Sequence, residues 1–156
     1  MRAAVRTAPF LPEHARALRL REFDELCLAG LGPGLDRNAL WEFYHATGPG
    51  FTVLAGDEVV ACGGVVLARP GEGEGWALTG PSVPRFALSF HRAFVRLLPA
   101  VEEECGLARV TTLVHERHAV SRRWLRRLGF REERLLAGLP GGENHYLCVR
   151  ERSWAP

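Results

Sequence analysis

Lysine, isoleucine and glutamine are absent from the 156-residue chain, so all 20 of its basic residues are arginine. No lysine amine is available to form a Schiff base or to be modified. Paired cysteines are missing as well. Cys27, Cys62, Cys105 and Cys148 are scattered among apolar neighbours, without the clustering that zinc ligation needs. They are expected to be buried free thiols. No stretch approaches the roughly 20 apolar residues of a membrane span. The N-terminal MRAAVRTAPFLPEHAR has neither a continuous apolar signal core nor a cleavage site. These absences point to a reduced, cytoplasmic protein. Strong charge of one sign is also lacking: the net charge is +2, too small to make nucleic acid or a membrane an obligate partner.

What is present describes an ordinary globular chain. Hydrophobic residues make up 47% and charged residues 24%, and the length fits one domain over residues 1–156 with a single substantial core. AAVRTA reads as a short strand. Pro12-Glu13 starts a helix that carries Leu20, Phe23 and Cys27 on one face and ends in the GLGPGL loop. DRNALWEFYHA predicts a second helix with Asp36 as its N-cap, stopped by Gly48-Pro49-Gly50. FTVLAGDEVVACGGVVLA predicts two strands joined by a tight Gly56-Asp57 turn, and Gly63-Gly64 marks a bulge or a close backbone approach. GWALTG (residues 75–80) adds a third strand to this meander.

The second half alternates helix and strand. Phe90, Phe94, Leu97 and Val101 form one stripe of a helix spanning residues 85–104, with Pro99 expected to kink or end it. ARVTTLVH is rich in β-branched residues and predicts a buried strand. HAVSRRWLRRLGF (residues 118–130) follows as a helix with Val120, Trp124 and Leu128, and Leu125 alongside them, facing the core. Its four arginines cover the remaining faces, and Gly129 fits the position after the C-cap. FREERLLAGL and NHYLCVRER supply the last two strands. The order is β-α-α-β-β-β-α-β-α-β-β, a mixed α/β sheet in one domain.

Several site types are excluded by spacing. His115 and His118 in HERH lie three apart across a strand-to-helix junction, not four apart on one helix as in H-E-x-x-H zinc sites, so no metal is expected. Ser82 and Ser89 have no histidine-acid pattern beside them for a nucleophilic triad. The arginine-rich helix lacks the aromatic interleaving of a nucleic-acid reader, and Glu132 and Glu133 offset its charge.

The strand, the helix ending in LGF and the strand after it resemble the C-terminal half of the GNAT (GCN5-related) N-acetyltransferases, and the likeness in element order covers most of the chain. The resemblance implies an acyl-coenzyme A N-acyltransferase fold whose fourth and fifth strands splay apart around the pantetheine arm. It implies acetyl transfer from acetyl-coenzyme A, as cosubstrate, to a small-molecule or peptide amine. A homodimer paired through the last strands is a further implication. Two departures stand out. Aligned with the phosphate loop [QR]-x-x-G-x-[GA], Arg85-Phe86-Ala87-Leu88-Ser89-Phe90 keeps the first residue but puts Leu88 and Phe90 at the small positions. Aligned with N-x-x-A-x-x-x-Y-x-x-x-G-F, the chain has His118 for Asn, Ser121 for Ala, and Leu125 where a proton-donating Tyr stands.

On this reading the cofactor-binding residues are Leu78, Thr79, Gly80, Arg85, Ala87, Ser89, His118 and Arg122, with backbone N–H groups serving the thioester and the phosphates. Glu72 and Glu74 before the fourth strand and His115 and Glu116 at the end of the fifth are the base candidates, and Ser121 or water is the candidate proton donor. LREFDELCLAG, VVACGG and RWLRRLGF also resemble small GNAT-like proteins of tailed phages and prophages. That likeness keeps open a non-catalytic structural or assembly role.

Overall fold

The computed structural model describes residues 3–152. Seven strands form one sheet in the order β1-β2-β3-β4-β5-β7-β6. Their ranges are β1 (Val5–Pro9), β2 (Gly50–Ala55), β3 (Glu58–Arg69), β4 (Glu72–Thr79), β5 (Arg109–His115), β6 (Arg131–Leu136) and β7 (His145–Glu151). Every neighbouring pair is antiparallel except β4–β5, which is parallel. The helices are α1 (Pro12–Ala17), α2 (Glu22–Ala29), α3 (Arg37–Ala46), α4 (Ala87–Glu104) and α5 (Ala119–Arg127), and a 3₁₀ turn (Val83–Phe86) precedes α4. None of these helices is long and apolar enough to cross a membrane.

Two apolar layers sandwich the sheet. On one face α1–α3 cover Cys62, Val66, Trp76 and Leu78, with Phe10, Leu28 and Trp41 packed against them. On the other, α4 and α5 bring Phe90, Phe94, Leu98, Leu125 and Leu128 onto Ala61, Val65, Val110 and Val114. The Gly63-Gly64 pair is a close approach and not a bulge, because the ladder runs through it in register as Gly63↔Ala77 and Gly64↔Trp76. A Cβ at Gly63 would sit 2.7 Å from the Phe94 ring, and one at Gly64 2.6 Å from the Pro49 carbonyl oxygen. The two glycines therefore let α4 on one face and the segment entering β2 on the other press onto β3.

Three expectations need correction. The single helix expected from Pro12 to the GLGPGL loop is two, broken over residues 18–21. No glycine or proline marks the break. It is made by tertiary packing, as Leu18 and Leu20 turn into the α1–α3 core and the Arg21 N–H donates to the Thr79 carbonyl. Pro99 lies inside α4 without ending it. The carbonyl its missing N–H would have paired belongs to Val95, on the exposed side, where water can satisfy it. Val120 is 60% exposed, and the core face of α5 is made by Leu125 and Leu128, with Trp124 half-buried.

Other sequence signals act as expected. Asp36 caps α3 by accepting from the Ala39 N–H at 3.2 Å. Gly129, at φ +88°, closes α5 in a Schellman motif, with Gly129 N–H to Arg126 and Phe130 N–H to Leu125, both 3.0 Å. Phe130 then drops into the core.

Candidate active site

The parallel β4–β5 ladder has only three residue pairs, Glu72↔Arg109, Gly73↔Val110 and Glu74↔Thr111. Beyond them β4 stays paired to β3, and β5 stays paired to β7. The two strands therefore part, and a cavity of about 430 Å³ opens through the sheet. Thr112 marks the fork, its Oγ1 donating to the Gly75 carbonyl at 2.9 Å in place of a ladder bond.

That bond fixes which peptide groups face the gap. Gly75 points its carbonyl toward β5, whereas the Gly80 N–H donates to Val60 on β3. By strand alternation the odd-numbered peptide groups of β4 face the opening and the even-numbered ones face β3. Thr79 faces it but is occupied by α2: Asp24 Oδ2 accepts both its N–H, at 2.9 Å, and its hydroxyl, and its carbonyl takes the Arg21 N–H. Ala77 lies midway, and among the described residues β5 offers it no ladder partner.

Both sheet faces contribute walls. On the α1–α3 side stand Phe23, Asp24 and Cys27 of α2, Phe43 and Tyr44 of α3, and Trp76 of β4. Tyr44 stacks flat on Trp76, with ring centroids 4.3 Å apart. On the other side are Ser121, Trp124 and Leu125 of α5. Burial is the main force on the ionisable groups here. It pushes Cys27 and Tyr44 each up to about 12, so both stay protonated. It also raises the Asp24 carboxyl above the ordinary aspartate value, and the two bonds from Thr79 only partly oppose it.

Histidine chemistry gathers where β5 ends. His115 is fully buried, its Nδ1 accepting from the Arg117 N–H at 3.1 Å and its Nε2 lying 2.7 Å from Glu143 Oε2. Nδ1 is thus the acceptor, and Nε2 carries the proton toward the carboxylate. His118 stacks on Phe23 at 4.3 Å and lies 3.1 Å, through Nε2, from the Ser121 hydroxyl. Burial, reinforced by Arg21 and His115, depresses His118 to about 4 from an ordinary 6.5. Between those values the unfolded chain binds more protons than the folded one. Stability is therefore expected to fall as the pH drops from 6.5 toward 4, with this group contributing nothing above that window. His145, also depressed by burial, adds to the same slope. Thermal melts from pH 8 to pH 4 should show a shallower acid decline for His118→Asn than for the unaltered protein. Parallel curves would assign the acid sensitivity elsewhere.

The residues singled out by sequence fall into three groups. Glu74, Leu78, Thr79, His115, His118 and Ser121 all line the cavity. Arg85, Ala87 and Ser89 gather at the start of α4, where Arg85 lies over the Phe86 ring at 5.4 Å. Gly80 and Arg122 are engaged elsewhere. Gly80 is paired to β3, and Arg122 forms a two-pronged bond to Glu132 at 2.7 and 3.0 Å, reaches the Glu116 carbonyl at 2.9 Å and covers the Tyr146 ring. The two bulky loop residues leave the gap clear. Leu88 is 61% exposed, and Phe90 packs into the core against Phe94 and Trp124. Sequence reasoning missed Asp24 and Ala77. Asp24 is one of three acids in the first turn of α2, and only its contact with Thr79 distinguishes it. Ala77 matters through its backbone, which no residue type signals.

By sequence the chain matches no family model and no curated protein. Solved structures do match it. The ribosomal-protein-S18-alanine N-acetyltransferase from Escherichia coli is 16% identical, with a TM-score of 0.69, over 98% of this chain and 97% of that one. A Salmonella typhimurium protein solved with acetyl-coenzyme A is 15% identical, with a TM-score of 0.71, over 98% and 97%. A GNAT-family acetyltransferase from Bacillus anthracis is 14% identical, with a TM-score of 0.69, over 97% and 98%. The chain has the fold of the GNAT-family acetyltransferases.

Proposed function

We propose that this protein is an N-acetyltransferase that moves the acetyl group of acetyl-coenzyme A to an amine. The observation that carries this reading is the fork between β4 and β5, which opens a passage from one face of the sheet to the other. A thin acyl carrier fits it. Leu88 turns outward, Phe90 is absorbed by the core, and the Ala77 peptide is left facing the gap. The thioester supplies an activated acetyl group, and the rest is done by this chain.

The Ala77 N–H donates to the charge that develops on the thioester oxygen. An amine attacks only when neutral, and Asp24 takes its proton, because burial has already raised that carboxyl's affinity for one. Asp24 then returns the proton to solvent, and Glu74, exposed where the last β4–β5 ladder pair forms, is the alternative base. Ser121, held by His118, hydrogen-bonds the departing sulfur. His115 is a positioning residue, since its fully buried ring braces Phe23 and the start of α5. Arg85, with the N–H groups of Ala87 and Ser89 at the start of α4, receives the pyrophosphate. Transfer is direct: Cys27, the thiol beside the amine, stays protonated and cannot carry the acetyl group.

The test is release of free thiol from acetyl-coenzyme A in the presence of mixed primary amines, with the acetylated amine identified by mass spectrometry. Ala77→Pro removes the proposed donor without taking a bond from the β3–β4 ladder, which runs through the even-numbered residues. It should retain the fold and lose about 10²–10³-fold in rate. Unchanged turnover in Ala77→Pro, or no thiol release from the unaltered protein, would contradict the reading.

A further inference from the structure

Resting on that reading, we infer that Glu143, in the loop joining β6 to β7, is a positioning residue for the transfer. It fixes the tautomer of His115. Through that ring it sets α2, which carries Asp24, against the start of α5, which carries Ser121.

Both ring nitrogens of His115 have partners. Nδ1 accepts the Arg117 N–H at 3.1 Å, and Nε2 lies 2.7 Å from Glu143 Oε2. A carboxylate only accepts, so Glu143 draws the proton to Nε2 and leaves Nδ1 free for Arg117. With the proton on Nδ1 the ring would meet the Arg117 N–H donor to donor, and the turn into α5 would lose its bond. The bond from His115, ahead of that from Arg117, holds the Glu143 carboxyl below the ordinary glutamate range. The acceptor is therefore charged, and the bond is of the stronger kind.

The same imidazole touches the opposite wall. Phe23 of α2, next in sequence to Asp24, has its ring centroid 5.1 Å from that of His115 and stacks on His118 at 4.3 Å. His118 in turn holds Ser121. Rotation of His115 would thus displace the base and the sulfur contact together. The loop also grips each side directly. Asn144 donates through Nδ2 to Glu116 Oε1 at 3.3 Å, and its carbonyl accepts the Glu116 N–H at 3.1 Å. Toward α2, a Cβ on Gly30 would stand 3.8 Å from Leu139 Cδ1, and one on Gly141 3.7 Å from Ala29 Cβ. A loop anchored to both walls fixes their relative placement, and a displacement of about 1 Å can cost 10²-fold in rate.

Glu143→Ala and Glu143→Gln separate positioning from simple support, because glutamine keeps an acceptor for the Nε2–H and alanine does not. The ring nitrogen shifts of His115, measured by NMR, should report the Nε2–H tautomer in the unaltered protein and in Glu143→Gln, and a mixture in Glu143→Ala. In Glu143→Ala, kcat and kcat/KM for acetyl-coenzyme A should fall together by about 10- to 100-fold with KM held, the pattern of lost alignment and not of lost binding. Amide exchange should quicken in both α2 and α5, and glutamine should restore both rate and protection. An Nδ1–H tautomer in the unaltered protein would overturn the assignment, even if Glu143→Ala failed to fold. Full activity in Glu143→Ala would do the same, as would faster exchange confined to residues 137–144 or a glutamine variant as slow as alanine. Absence of thiol release alongside the expected tautomer and exchange would instead retire the transferase reading and leave the link from Glu143 to both walls standing.

Discussion

Asp24→Asn is expected to lower kcat/KM for acetyl transfer by about 10²- to 10⁴-fold, the range over which a positioned base contributes. Asparagine matches aspartate in shape and can still accept one bond from Thr79, so α2 should stay docked on β4 and the melting temperature should change little. What is lost is a carboxylate whose proton affinity burial has raised toward that of a useful base. The pH profile carries the sharper signature. On the proposed reading, the rate of the unaltered protein should fall on the acid side as Asp24 and the amine take up protons, and the part due to Asp24 should vanish in the variant. A loss below about tenfold, well under the range for a positioned base, with an unchanged acid limb would move the base to Glu74 or to solvent.

The largest effect on stability is expected at Arg150. Its Nε donates at 2.7 Å to Glu102, a carboxylate only 2% exposed, and its guanidinium also donates to the Leu128 carbonyl at the end of α5. One side chain thereby ties β7 to α4 and closes a helix terminus that would otherwise leave a carbonyl unpaired. Arg150→Met strands the buried Glu102 charge and should cost about 3–5 kcal/mol. For a chain of this size that is a fall of about 6–20 °C in Tm. Adding Glu102→Leu removes the stranded charge, and the double variant should recover most of the loss. If the double variant is no better than the single one, the damage lies in the Leu128 carbonyl and not in the ion pair.

Much of the fold was legible because local chemistry and tertiary structure agree at those positions. Gly56-Asp57 turns β2 into β3, Asp36 caps α3, and Gly129 ends α5, each using a conformation or a bond that its residue type favours. The break between α1 and α2 was not legible, since it answers to Thr79, more than fifty residues away. Val120 misled for a related reason. Periodicity gives the pattern of a helix but not the angle at which it docks, and α5 is turned so that Leu125 and Leu128 carry its core face. The site divides the same way. Glu74, Thr79, His115, His118 and Ser121 could be placed near the gap from strand and helix ends. Asp24 required the fold, because its neighbours Glu22 and Glu25 carry the same charge in the same turn. Ala77 required the sheet register, because its proposed contribution is a peptide group exposed where two strands part.

The loop before α4 also reads differently in three dimensions. Leu88 and Phe90 break the small-residue pattern of a phosphate loop, yet one points to water and the other joins an aromatic cluster with Phe94 and Trp124. Bulk in the sequence is not bulk in the passage. Whether the passage receives its carrier is decided by calorimetric titration of acetyl-coenzyme A into the purified protein, with desulfo-coenzyme A as control. The account predicts saturable binding with one equivalent of ligand and a dissociation constant in the micromolar range. Absence of heat at millimolar ligand would contradict it and leave the fork as scaffold, in keeping with a structural or assembly role.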